Sequence, residues 1–585
     1  MPPVKRILQL LVVVSVCLAT YAAWRMLGSP TTGIDDAVIF FVYARNILQG
    51  HGAVYTVGQG HVEGFSSVLY LLLCVIAFAV SHAPHITPQM SLFALNLLFA
   101  ILCSLAVLGV LNAVVDRLSL GNYVRILFAA AYLTWMLVNP LYFVWSVTTL
   151  MDTGVWSLVL TVNFALLAIL AVRQQEPETR HAIAASALIV LTILARPEGQ
   201  LWSIIAWLCF AVIAFAYCRS MRRALLRSAI PFAALLAVSL GLLIFRLWYF
   251  GYPLPNTYYA KVSANRLATL GDGRHYLHVF LGFYSAMLVV NIVLALVLAM
   301  RLIFNRSMRD PRFGLLAISS VYSIAALFVP VLEGGDHFSG FRMYQPLMPL
   351  LFLPALAWFF LLHKRPTTQR ALFTAAAILL IITPASHSWG RLRESNQTDE
   401  THADDRMRIW DGFYLARLEE QNGERMRQLF PGGTVTQGVG AAGGFAFGYD
   451  GQTYDLLGLN DVRMAHADPI KKGPKDHQSF DARVFYQISP EMMLAWTSPQ
   501  GIAISAPQRY GYYLDSNDWD YKIFKGIFKQ PQFQREYVFA VITDDRHPGV
   551  PCMSFFRRDF IAKLLQNSHV HLDWSAGPIA ASPSR

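Results

Sequence analysis

Charge is what this sequence has least of. Only 14% of its 585 residues are Asp, Glu, Lys or Arg, against 55% hydrophobic residues and a mean hydropathy of +0.43. That is far more apolar than a soluble globular chain, and a polytopic membrane protein is expected. Paired cysteines are also missing. Cys17, Cys74, Cys103, Cys209 and Cys218 lie in or beside apolar runs, and Cys552 stands alone in the polar C-terminal part, which therefore holds no internal disulfide. There is no internal repeat and no low-complexity tract. The net charge of +11 arises first from Lys and Arg in cytoplasmic loops, so it does not call for a nucleic-acid partner.

Apolar runs suited to crossing roughly 30 Å of hydrocarbon fall near 8–26, 90–115, 126–138, 155–172, 182–194, 201–217, 229–250, 279–302, 315–331, 346–362 and 371–382. About eleven spans are expected. The N-terminus has a basic start and an apolar run, but Tyr21, Trp24 and Arg25 make a bulky end, so an uncleaved first span is expected. The run at 68–80 decides the topology. If it lies on or dips into the outer leaflet, the clusters around Arg117, Arg173, Arg223, Arg301 and Lys364 all fall inside, as the positive-inside rule requires. The same parity places residues 29–67, 145–152, 196–198, 251–276 and 333–344 together outside. The opposite parity would separate Asp35 from Asp336.

From about residue 386 the composition turns polar, aromatic and glycine-rich, and some 200 residues follow without a run that could span. The fold class read here is a polytopic α-helical membrane protein over 1–385, with an outer loop at 29–67 and an interfacial helix at 68–82, followed by a mixed α/β extracytoplasmic domain over 386–585. Residues 537–542 alternate as a strand, and 406–427 read as helix. Gly438 to Gly443 fits GxGxxG, but as a lone match it is better explained by a glycine-rich turn than by a dinucleotide. The basic run Lys471, Lys472, Lys475 reads as a solvated loop.

Chemistry is concentrated in the outer loops. Asp35 and Asp36 open a helix-like stretch closed by Gly50, and either could merely cap it. Side chains of neighbours on a helix diverge by about 100°, so a shared-proton dyad is not expected. One carboxylate can act as general base toward a hydroxyl while the other orients a sugar hydroxyl or a cation. Arg45 and His51 are candidates for phosphate or sugar contacts, and Glu63 for orienting Arg45 or binding sugar.

The order of motifs is specific: Asp35-Asp36, Tyr43-Ala44-Arg45-Asn46, Gly50-His51-Gly52, Val62-Glu63-Gly64-Phe65, Ala195-Arg196-Pro197-Glu198-Gly199, Pro253 to Lys261, Gly334-Gly335-Asp336 through Arg342, and Tyr454 to Asp461. It resembles the GT-C superfamily of membrane glycosyltransferases, nearest the branch of mycobacterial and corynebacterial terminal arabinofuranosyltransferases and pilin-arabinosylating enzymes. The family usually has Glu where this chain has Asp152. The resemblance implies inverting transfer of a sugar, arabinofuranose first, from a polyprenyl-phosphate donor to an extracytoplasmic glycan or protein acceptor, in a bacterial inner membrane. It points to Asp35 or Asp36 as the base. A polyprenyl phosphate is already a good leaving group and needs charge stabilisation more than protonation.

Lys261, Arg342 and Arg196 are then candidates to hold the phosphate. Glu198, Asn256, Tyr258, Tyr259, Asp336, His337 and Tyr344 are candidates to contact donor phosphate, sugar or headgroup. The plainer readings are a local ion pair for Arg196 and Glu198, and an interfacial aromatic belt for Tyr258 and Tyr259. Asp336-His337 is a thin metal signature, as are His82 with His85 and His275 with His278, so no metal and no cofactor is assigned, while a divalent cation stays open. A hexosyl- or mannosyltransferase of the same architecture is the alternative within the class. A transporter of lipid-linked sugar is the alternative outside it, and would be expected to carry mid-membrane charges or repeated halves.

Overall fold

Long apolar helices make up the first part of the chain. The computed structural model describes residues 3–81, 86–304, 311–352, 409–497 and 505–579, together with Gly390. In order come α1 (Pro3–Met26), α2 (Asp35–Leu48), α3 (Val68–Val80), α4 (Pro88–Arg117), α5 (Asn122–Leu137), α6 (Pro140–Phe143), α7 (Thr153–Arg173), α8 (Thr179–Ala195), α9 (Gly199–Tyr217), α10 (Met221–Tyr249), α11 (Asn256–Lys261), α12 (Arg266–Phe304) and α13 (Pro311–Leu332). Among the described residues six helices are long and apolar enough to cross a membrane, in α1, α4, α7, α9, α10 and α13. A bent pair, Asn122–Leu137 with Pro140–Thr148 at 72°, would be a seventh.

The remaining expected spans meet different fates. Run 182–194 is helix α8, with 17 residues, and run 279–302 falls inside α12, which breaks its helical backbone at Tyr284. Run 346–362 starts in a 3-10 turn, Gln345–Leu347, and passes beyond the described residues. Run 371–382, the domain boundary near 386, and His82 and His85 lie outside them.

Helix α3, on run 68–80, is short for a span. Its 13 residues rise about 20 Å at 1.5 Å per residue, short of the roughly 30 Å of hydrocarbon. The hydroxyl of Ser67 accepts from Tyr70 N–H at 3.0 Å and starts the helix there. The loops expected to share one side do meet, because Arg342 touches both Asp36 and Asp336.

The C-terminal part is built on one six-stranded sheet in the order β2-β1-β3-β5-β4-β6. The strands are β1 (Gln437–Val439), β2 (Thr453–Asp455), β3 (Met492–Trp496), β4 (Tyr537–Asp544), β5 (Cys552–Arg557) and β6 (Val570–Ser575). β1 pairs parallel with β2 and β3, and the other ladders are antiparallel. Strand β4 sends Tyr537, Phe539 and Val541 into one apolar cluster and Val538, Ala540 and Ile542 into another. Period-two alternation thus separates two cores rather than core from water.

Two helices of this part, α14 (Ile409–Leu429) and α15 (Gly444–Tyr449), dock on the membrane-type helices. Ile409, Phe413, Ala416, Ala442 and Ala446 belong to the same buried cluster as Ile34, Ala37, Val38 and Phe41 of the α2 region.

Candidate active site

Helix α2 starts where it does because the preceding backbone is pinned. Ile34 N–H donates to Thr149 O at 3.2 Å, and a Cβ on Gly33 would lie 2.8 Å from that same oxygen. Ile34 occupies the N-cap position and no side chain caps the helix. Both carboxylates of the first turn are therefore free for other partners, and they find different ones.

Asp36 faces two cations. Its Oδ2 lies 3.8 Å from Lys261 Nζ and 3.6 Å from Arg342 Nη1, ion-pair distances longer than a hydrogen bond. Burial works to raise its pKa, but Lys261, Arg342, His337 and His477 hold it below the ordinary Asp value. With 24% of its side chain exposed, it stays reachable.

The loop after α13 brings Arg342 into position. Gly334 and Gly335 have φ of +88° and +70°, and a Cβ on Gly335 would stand 2.5 Å from Tyr276 Cβ, so glycine is required by both backbone and space. Arg342 then donates to both oxygens of buried Asp336, from Nε at 2.5 Å and from Nη2 at 3.1 Å. Its guanidinium also lies 4.4 Å over the Phe338 ring. Lys261 arrives at the end of α11, which is anchored through Asn256: its N–H donates to Glu63 O at 2.9 Å and its Nδ2 to the carbonyls of Gly458 and Leu459.

Behind the cations, Asp476 lies 2.9 Å from His337 Nδ1. Burial would raise the Asp476 carboxyl, but the His337 contact and Lys261 hold it well below the usual range. Burial, with His337 beside it, pushes His477 down to about 4. Asp336, His337 and Asp476 offer three ligand atoms within 4.8 Å of one another, the one such group among the described residues. They fit a divalent cation by residue type, but Arg342 already occupies Asp336 and Lys261 adds positive charge alongside.

On the other side of Arg342 lies a narrow cleft, lined in part by Thr153, Trp156, Arg196, Glu198, Trp202 and Glu333. Arg196 donates through Nη1 to both oxygens of buried Asp152, at 3.1 and 3.0 Å, and through Nε to Glu198. Burial and the nearby Glu198 push Glu333 well above the ordinary Glu value. Arg196 and Glu198 do form the local ion pair that the sequence allows, and they line the cleft as well.

Asp35 turns toward the C-terminal sheet. Its carboxylate accepts from Gly443 N–H at 3.0 Å and Gly444 N–H at 2.8 Å. Burial outweighs these bonds and pushes it up to about 6. The GxGxxG turn thus takes as its anion a side chain of the same protein.

Several candidates lie elsewhere. Helix α2 is about 21 Å long by its 14 residues, and Arg45 and His51 belong to its far end. Arg45 donates to Phe447 O at 2.7 Å and pairs with Asp450 at 2.9 Å, and His51 is exposed. Glu63 neither orients Arg45 nor stays at the surface: it is buried in a two-pronged ion pair with Arg246, with contacts of 2.8 to 3.1 Å. Asn256 has both amide hydrogens on backbone carbonyls. Tyr344 is wholly buried, stacked 4.0 Å from Phe280, with its hydroxyl on Leu327 O. Tyr258 stacks with Arg266, and Tyr259 lies 4.1 Å from the His466 ring.

Residues 471–477 are not a simple solvated loop either. Lys471 is buried and donates to Ala465 O at 2.7 Å, and the following turn delivers Asp476 and His477 to the site. Sequence reasoning left out Asp476, His477, Glu333, Gly443 and Gly444.

No protein-family model matches the chain, and no curated protein matches it by sequence. Among solved structures, it is similar to the oligosaccharyltransferase of Archaeoglobus fulgidus in the apo form, at 12% identity and a TM-score of 0.49, covering 94% of this chain and 74% of that one. It is also similar to ArnT from Cupriavidus metallidurans bound to undecaprenyl phosphate, at 10% identity and a TM-score of 0.48, covering 84% and 94%. Likeness at this level assigns no residue role and no substrate.

Proposed function

We propose that this chain is a GT-C-type membrane glycosyltransferase that moves a sugar from a polyprenyl-phosphate donor to a hydroxyl of a glycan or protein acceptor outside the cytoplasm. The observation that carries the reading is the placement of Asp36 between Lys261 and Arg342, beside the cleft bounded by Arg196 and Glu333. An apolar helical bundle ending in two cations and an accessible carboxylate suits a substrate with a lipid tail, an anionic linkage and a sugar. Lys261 and Arg342 would take the donor phosphate.

In the reaction, a carboxylate of the Asp35–Asp36 pair accepts the acceptor hydroxyl proton as its oxygen bonds to the anomeric carbon. The bond from that carbon to the phosphate oxygen breaks on the opposite face, and the leaving polyprenyl phosphate keeps the electron pair against Lys261 and Arg342. One displacement of this kind inverts the anomeric centre. Arabinofuranose as the sugar, the inner membrane as the location and the outer face as the side rest on the sequence resemblance and on loop charge.

The test is transfer from a synthetic polyprenyl-phosphate arabinofuranose to a panel of acceptors, with purified wild type beside Asp35→Asn and Asp36→Asn. Product from wild type alone supports the reaction and the pair together. Equal product from all three removes the pair from catalysis. No product from any, with lipid-linked sugar crossing vesicles that carry the protein, supports a transporter instead.

A further inference from the structure

The turn at 438–444 lies in the domain farthest along the chain from Asp35, yet it holds that carboxylate more closely than anything in the membrane-type part does. Two backbone N–H groups, Gly443 and Gly444, bind one oxygen each. Each carboxylate oxygen keeps lone-pair capacity for a further partner. An asparagine could accept from only one of the two N–H groups, because its NH2 would face the other.

The fit allows no side chain at either of these two positions. A Cβ on Gly443 would stand 2.0 Å from Asp35 O, and one on Gly444 would stand 2.3 Å from Ala416 O. Tyr55, on the loop after α2, donates to Ala442 O at 2.6 Å, fixing the same turn from a second direction. Arg45 grips the far end of α15 through the carbonyls of Phe447 and Ala446 and through Asp450. Helix α2 is therefore fastened to α15 at both ends, by a carboxylate at one and a guanidinium at the other.

We propose that the glycine turn 438–444 is a component of the active centre, in which Gly443 and Gly444 act as positioning residues that fix the Asp35 carboxylate and, through the first turn of α2, the aim of Asp36. Its catalytic consequence rests on the glycosyl-transfer reading; the fastening itself does not. The C-terminal domain on this account is a working part of the site, and loss of the glycine turn from α2 disarms the carboxylate pair.

Two measurements on the full chain in lipid nanodiscs test this. The first is hydrogen exchange of the segment 438–450 in wild type and Asp35→Asn. The expected result is amides of 443 and 444 exchanging at least about tenfold faster in the variant, and unchanged exchange would overturn the fastening. The second is the kinetics of Gly443→Ala against Gly511→Ala, a glycine with open space around its Cβ position. Gly443→Ala is expected to lower kcat by about 10- to 100-fold with the donor KM within about twofold. Gly511→Ala is expected to match wild type. Wild-type kcat in Gly443→Ala, or a loss confined to the yield of folded protein, would overturn the positioning role. If wild type transfers nothing, the exchange measurement still decides the fastening, and the failure falls on the reaction.

Discussion

Asp35 and Asp36 are adjacent in the chain, yet the first accepts from the backbone of Gly443 and Gly444 while the second faces Lys261 and Arg342. Their proton affinities move in opposite directions, because burial dominates at Asp35 and neighbouring cations dominate at Asp36. Two carboxylates pushed apart in this way can hold two roles.

Replacing Asp36 by Asn is expected to lower transfer by about 10²–10⁴-fold, with a loss of stability below about 1 kcal/mol. Lys261 and Arg342 keep Asp476 and Asp336 nearby, so neither cation is stranded. Initial rates and thermal midpoints measured on the same preparation check both parts.

The two cations should behave differently when truncated. Lys261→Ala removes a partly exposed charge and is expected to raise the donor KM with little effect on folding. Arg342→Ala strips buried Asp336 of its guanidinium partner and leaves it the His337 contacts, which costs up to about 3–5 kcal/mol, so folded yield falls as well. Unchanged donor kinetics in Lys261→Ala would remove it from the site.

Glu63 is expected to matter for stability and not for chemistry. Arg246→Ala should destabilise by about 3–5 kcal/mol by leaving Glu63 buried and unpaired, whereas replacing both residues by Met should recover most of that loss. A thermal-unfolding double-mutant cycle reads this directly, with the donor KM of the double variant near wild type.

The pH dependence has two opposite signs. If Asp35 must be ionised, the acidic limb of the transfer rate falls near pH 6, its folded value. Stability runs the other way: the folded-state pKa lies above the ordinary Asp value of 3.8, so the folded protein holds the proton more tightly. Its contribution is greatest below about pH 4 and is lost as pH rises to about 6. Asp35→Asn should flatten that part of the stability profile, measured as thermal midpoint against pH.

The outline of this architecture was legible from hydropathy because spans and loops differ in composition. Loop charge brought Asp36, Lys261, Asp336 and Arg342 to one side, and Asp36 joins three of these loops in space through Lys261 and Arg342. Partners are another matter. Arg246 reads as the polar end of a span, and nothing local marks Glu63 as its mate 183 residues away. Asp476 sits in a lysine-rich run whose composition suggests solvent. The glycine turn has an ordinary local explanation, and its ligand comes from across the whole fold. Tyr344 looks like a sugar-binding aromatic until packing buries it against Phe280. Sequence pattern reports which face or side a residue occupies, whereas pairing depends on tertiary contacts that it does not encode.

The hydrogen bond from Gly443 to Asp35 spans 408 residues of chain. A chain synthesised through α13 and the loop that follows it contains Asp35, Asp36, Lys261 and Arg342, but not the turn that fastens the first of them. The site is thus finished only after the later segment has been synthesised, placed on the same side and folded, and a nascent or truncated chain carries the cations and the cleft in an uncommitted form. Biogenesis itself provides a delay before the carboxylate pair is set.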